Sequence, residues 1–297
     1  MPARCALCAP RRRALVVAKQ LTYGLLHSVK RMSRLFLGII IVMASLAHSA
    51  EAADVAPIVV HGWLLGGFSE GKWLSAEDTA KALKGGEPYQ LCSLTHFLAK
   101  AEGGKPTSNP RIEVGPEFGI TFKPAPKTKE PVVAIAGSWP AMPRQPRLIT
   151  ENLQPYVEAA KEVLESKGIN DPQVNLTQVI EIDLDGDGIN EVLVSATRYS
   201  MAHLSDLLNE GDYSMLFLQK KVKGTMRNIL IAGRFKGAFG PEPGLAMIYR
   251  VTGMVDADGD GVMEMVANYT YYEGGGAELY QLKGDQMELV LNEDWGA

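Results

Sequence analysis

The stretch Asp183-Leu184-Asp185-Gly186-Asp187-Gly188-Ile189-Asn190-Glu191 returns in the same pattern as Asp256-Ala257-Asp258-Gly259-Asp260-Gly261-Val262-Met263-Glu264. Both read D-x-D-G-D-G-x-x-E, and their first residues lie 73 positions apart. Carboxylates at loop positions 1, 3 and 5 converge on one point if the backbone coils tightly. Glycine permits that coiling because it reaches positive φ at little steric cost. Calcium is a hard cation that takes about six to eight oxygens in flexible geometry. The first loop thus offers Asp183, Asp185 and Asp187, the backbone carbonyl of Ile189, and Glu191 to one ion. The second offers Asp256, Asp258, Asp260, the carbonyl of Val262, and Glu264 to another. Without a cation, four carboxylates within nine residues repel one another. The competing reading is an acidic, glycine-rich turn that binds nothing.

The context of the loops separates them from EF-hands. An EF-hand closes with a bidentate Glu at position 12 and enters a helix. Here position 12 is Val194 or Ala267, and the following residues read as strand. Leu176, Ile180 and Ile182 alternate into the first loop, and Val192, Val194 and Ala196 alternate out of it. Tyr249, Val251 and Val255 approach the second loop, and Met265, Ala267, Tyr269 and Tyr271 leave it. With further strands at 215–218, 229–231, 279–282 and 287–291, residues 174–234 and 246–292 read as two units of an internal repeat. Each is expected to be a four-stranded antiparallel meander.

On these residues the chain resembles the FG-GAP and VCBS-type repeats found in integrin α-chain N-terminal regions. Those repeats carry D-x-D-x-D-G-x-x-D/E calcium loops between strands of β-propeller blades. Asp183, Asp185, Asp187 and Glu191 match that pattern, as do Asp256, Asp258, Asp260 and Glu264. The resemblance covers roughly the last 120 residues. It implies metal ligation that holds structure together, without catalysis. A closed propeller needs about four to eight blades. Two units therefore point to blade-like sheets outside a complete propeller, and Phe239-Gly240 is only a fragment of the family's other signature.

Composition sets outer bounds. The 297 residues, 46 % of them hydrophobic and 22 % charged, are those of a globular chain. The net charge of −4 is unevenly placed: residues 1–52 hold eight Lys/Arg and one acid, which leaves 22 bases and 33 acids beyond them. An acidic body argues against a nucleic-acid partner, because phosphate binding needs a basic face. Arg31 to Arg34, the apolar run 35–47 and Ala50-Glu51-Ala52 have the layout of a secretory signal peptide. Residues 1–31 then read as a mis-called start. A secreted or periplasmic location follows, with no stable membrane span after cleavage and a protein or carbohydrate partner. Cys5-x-x-Cys8 lies ahead of that segment, and Cys92 then stands alone.

The expected fold class is α+β, mainly antiparallel β. Residues 53–150 read as a mixed, Pro-rich region, and 151–297 as a helix plus the β-domain. In the first region, 57–61, 89–95 and 132–136 are strand-like, and Ser75-Ala76-Glu77-Asp78 resembles a capping box. The clearest helix spans 151–167, where Leu153, Tyr156, Val157, Ala160, Val163 and Leu164 form one apolar stripe. Gly168 supplies its stop.

Two enzyme or metal constellations compete. Pro57 to Gly62 followed by Gly67-Phe68-Ser69-Glu70-Gly71 has the elements of a serine hydrolase, with Ser69 as nucleophile. That motif requires a strand-to-helix elbow and intervening elements, for which there is no room here. Cys92-x-x-x-His96 suggests two soft ligands but lacks partners for a zinc tetrad. Of Tyr269, Tyr271 and Tyr272, those facing solvent are candidates for carbohydrate or protein contact, while those inside a strand are expected to pack in the core. Asn175-x-Thr177 and Asn268-x-Thr270 are glycosylation sequons.

Overall fold

The computed structural model describes residues 55–108, 117–200, 208–237 and 246–296. The segment expected to be a signal peptide, Cys5-x-x-Cys8 and Phe239-Gly240 lie outside these residues. Eighteen strands and two helices are present among the described residues, and every strand pairing is antiparallel.

The first sheet contains β1 (Ala56–Val60), β2 (Trp63–Ser69), β3 (Lys72–Leu74), β4 (Pro88–Cys92), β5 (Phe97–Gly103), β6 (Thr107–Ser108), β7 (Phe118–Gly119), β8 (Phe122–Lys123) and β9 (Val133–Ile135). Their order is β6-β7-β2-β1-β9-β4-β5-β8, with β3 beside β2. The strands expected at 57–61, 89–95 and 132–136 are β1, β4 and β9. The rest of this mixed region supplies further strands, Trp63 to Ser69 among them. A Cβ on Gly67 would meet the Thr79 side chain at 2.9 Å, so the glycine lets a helix lie close against the sheet. That helix, α1 (Ala76–Ala82), begins as its sequence signalled: Ser75 Oγ accepts from Asp78 N at 3.1 Å.

The second sheet joins β10 (Arg147–Leu148) to a meander of β11 (Leu176–Ile182), β12 (Glu191–Thr197), β13 (Tyr213–Val222) and β14 (Thr225–Phe235). The third is the meander β15 (Ile248–Val255), β16 (Glu264–Tyr271), β17 (Gly274–Lys283) and β18 (Gln286–Gly296). In each meander an acidic loop connects the first strand to the second. A register shift between Leu176 and Gln178 turns Leu176 away from the face of Ile180 and Ile182.

Strand alternation explains how the sheets stack. Met265, Ala267 and Tyr269 of β16 face one side and pack with Ile180, Leu193 and Leu218. Val266 faces the other side and packs with Ile58, Val133 and Ile135. The β15–β18 sheet is therefore covered on both faces, by the β10–β14 sheet and by the β1–β9 sheet. Helix α2 (Gln154–Ser166) closes the far face of the β10–β14 sheet, setting Ala160, Val163 and Leu164 against Val194, Met215 and Phe217. Burying one such Leu stabilises the fold by roughly 1.5–3 kcal/mol. The helix ends in a Schellman motif: Gly168 N donates to Glu165 O at 2.9 Å and Ile169 N to Leu164 O at 3.1 Å, with Gly168 at φ 78. Helix α1 covers the outer face of the first sheet through Ala76 and Leu83 near its ends. Among the described residues no helix is long and apolar enough to cross a membrane.

Candidate metal loops

Both acidic loops coil through the same set of internal hydrogen bonds. The Asp at position 1 accepts from the backbone N–H of positions 4 and 6: Asp183 from Gly186 at 2.7 Å and Gly188 at 3.1 Å, Asp256 from Gly259 at 2.7 Å and Gly261 at 3.1 Å. Asp185 and Asp258 accept from position 5, at 3.3 and 3.2 Å. Asp187 and Asp260 accept from position 7, both at 2.7 Å. The Glu at position 9 reaches back to position 2, Glu191 to Leu184 N at 2.9 Å and Glu264 to Ala257 N at 2.7 Å. Four glycines make this possible. Gly186, Gly188, Gly259 and Gly261 have φ of 77, 83, 82 and 86°, the left-handed region that disfavours a Cβ.

The resulting carboxylate clusters are close enough to hold a metal ion. Oxygens of Asp183, Asp185 and Glu191 lie within 4.8 Å of one another, as do oxygens of Asp256, Asp258 and Asp260. Of the expected ligands, Asp187 stands outside the first cluster and Glu264 outside the second. Ile189 and Val262 enter through their N–H groups, which donate to Asp187 and Asp260.

The loops lie side by side. Met263 N donates to Leu184 O at 2.9 Å. Arg144 bridges them: its Nε donates to Asp183 O at 2.5 Å, and its Nη2 to Leu184 O at 2.8 Å and Gly261 O at 2.6 Å. Trp139 Nε1 donates to Asp256 O at 2.8 Å, and its ring packs over Gly259. Sequence reasoning missed both residues, because they sit in a Pro-rich connection without periodicity.

The electrostatics of the two loops differ. In the first, Lys220 Nζ on β13 donates to Asp185 Oδ2 at 2.8 Å and to Glu191 Oε1 at 2.6 Å. Burial works to raise the pKa of Asp185, but the Lys220 ammonium outweighs it and holds the carboxyl below its usual value. In the second loop, Gln281 Nε2 donates to Asp258 Oδ2 at 2.8 Å. Burial and neighbouring carboxylates raise Asp256 and Asp258. Glu264 is fully buried; burial first, then Asp258, Asp260 and Asp256, push its pKa up to about 9 against the pull of the Ala257 N–H. The second loop thus carries the larger repulsion, eased at Asp256 by Arg144 and lacking an ammonium like that of Lys220, and a divalent cation held there would relieve it.

The other sequence motifs fall elsewhere. Ser69 ends β2, and Glu70-Gly71, both at positive φ, turn the chain directly into β3. The G-x-S-x-G stretch is a β-hairpin and lacks the strand-to-helix turn of a nucleophile elbow. Cys92 ends β4 with its thiol pushed up to about 12 by burial, while His96 is exposed beyond it and bonded to Thr95. Tyr269 is buried, Tyr271 is half-buried and stacked on it, and Tyr272 is exposed. Both sequon amides are engaged: Asn175 Nδ2 donates to Thr197 O at 2.9 Å and Asn268 Nδ2 to Gly276 O at 3.0 Å.

No protein-family model, curated protein or solved structure matches the chain.

Proposed function

We propose that the protein is a secreted or periplasmic calcium-binding module, non-enzymatic, that engages a protein or carbohydrate partner through a scaffold braced by its acidic loops. The observation that carries this reading is the shared wiring. Two nonapeptides coil through the same five classes of side-chain-to-backbone bond, and each gathers three carboxylates within 4.8 Å. We read the two meanders as copies of one blade-like unit, consistent with the FG-GAP and VCBS resemblance. Asp183, Asp185 and Glu191 are the core ligands of one site, with Asp187 and the Ile189 carbonyl reaching it on loading. Asp256, Asp258 and Asp260 are those of the other, with Glu264 and the Val262 carbonyl. Calcium suits an all-oxygen, flexible donor set of this kind.

The expected affinity is that of extracellular modules, on the order of 10⁻⁴ to 10⁻³ M. Calorimetric titration of the chain with calcium should show saturable binding in that range. The double variant Asp185→Ala, Asp258→Ala should show none. A wild-type titration without heat or saturation would sink the proposal.

A further inference from the structure

The two acidic loops share a backbone path but differ in their counter-ion. The β12–β13 register pairs Val192 with Gln219, and one step further Glu191 stands opposite Lys220. The β16–β17 register pairs Met265 with Tyr280, and one step further Glu264 stands opposite Gln281. Lys220 and Gln281 therefore hold equivalent positions facing the Glu that closes each loop.

Their chemistry is not equivalent. The Lys220 side chain is 8 % exposed, and its ammonium sits on Asp185 and Glu191, two of the three carboxylates gathered in the first loop. Gln281 brings no charge. Its Nε2 reaches Asp258 and stops 3.5 Å from Glu264 Oε1, at the outer limit of a hydrogen bond. Glu264 is fully buried, and that oxygen meets no ammonium or guanidinium among the described residues.

Building on the reading of these loops as cation sites, we infer that Lys220 is a resident counter-ion that makes the first loop the weaker site. The second loop then loads first. A dication entering the first loop must displace the ammonium or sit beside it. Like charges a few ångströms apart repel strongly at the effective dielectric of a protein surface. An ammonium that stays buried after losing its carboxylates also pays for desolvation. The first loop should bind calcium roughly tenfold or more weakly than the second.

Trp139 gives a local probe, because its ring lies over Gly259 of the second loop and its indole N–H is bonded to Asp256 O. Terbium held there is excited through the indole. The test titrates calcium into the full wild-type chain and into Lys220→Gln, by calorimetry and by displacement of tryptophan-sensitised terbium luminescence. In wild type the tighter calcium-binding phase should abolish the luminescence, and any second phase should be roughly tenfold or more weaker. In Lys220→Gln two ions should bind with similar affinity. Two equal sites in wild type, a first ion that leaves the luminescence intact, or a Lys220→Gln curve identical to wild type would each overturn the role of Lys220 while leaving the loops as calcium sites. If Lys220→Gln does not fold, the wild-type curve decides alone. Absence of binding in both proteins removes the cation reading and this inference together.

Discussion

Replacing Arg144 by Ala tests whether the acidic loops are held as a pair. The guanidinium serves three backbone carbonyls on two separate loops, at 2.5, 2.8 and 2.6 Å. Net values for hydrogen bonds to charged groups are about 1.5–3 kcal/mol each. The sum is smaller than three full bonds for two reasons. Leu184 O keeps the Met263 N–H as a partner, and Arg144 is partly exposed, so water can reach part of what it leaves. Counting two bonds at the low end gives about 3 kcal/mol. For a chain of this size each kcal/mol lowers Tm by about 2–4 °C, so Arg144→Ala should melt roughly 6–12 °C below wild type. Arg144→Lys should recover only part of this, because one ammonium lacks the planar fork that reaches both loops. The assay is thermal unfolding by circular dichroism, with urea unfolding to supply the free energy. A loss below about 1 kcal/mol would refute the claim that this side chain ties the loops together.

Two further perturbations follow from the loop geometry. Gly188 and Gly259 both have left-handed φ, but a Cβ on Gly188 meets nothing within 4 Å whereas one on Gly259 would meet the Trp139 ring at 2.7 Å. Gly188→Ala should therefore cost only the backbone term of about 1–2 kcal/mol, and Gly259→Ala clearly more, as read by urea unfolding. Glu264 gives a pH dependence in calcium-free solution. Its folded pKa is raised from the ordinary 4.5 to about 9, so its contribution to stability is fully present below 4.5 and is lost as pH climbs toward 9. Chelated protein should lose stability across that window, calcium should flatten the loss, and Glu264→Gln should remove this group's contribution to it. Denaturant midpoints measured across the window would tell against the assignment if the chelated wild type and Glu264→Gln ran parallel.

The loops were legible in the sequence because their chemistry is local: nine residues specify the turn, the glycines and the carboxylates. Helix α2 was legible for a similar reason, since an apolar stripe and a terminal glycine specify a helix without reference to the rest of the chain. The β1–β9 sheet was not. Several of its strands are only two or three residues long, and β1 lies between β2 and β9, a partner more than 70 residues away. The glycines of the G-x-S-x-G stretch hide the end of β2, although the one at 67 serves close packing against Thr79. Lys220 escaped notice because alternation with Leu216 and Leu218 puts it on an inner face but does not show the carboxylate pair it meets there. Arg144 and Trp139 escaped because a Pro-rich connection offers no period to read. Residues that act across sheets are fixed by tertiary packing, and a single sequence does not print that packing.

Calcium binding by the folded chain is tested most directly by thermal unfolding in excess EDTA and then in millimolar calcium. Ligand that binds only the folded state raises stability by an amount set by its concentration relative to Kd, about 2.7 kcal/mol at a hundredfold excess. Tm should rise with calcium concentration and fall back on chelation. A melting curve that is the same in EDTA and in calcium would contradict it.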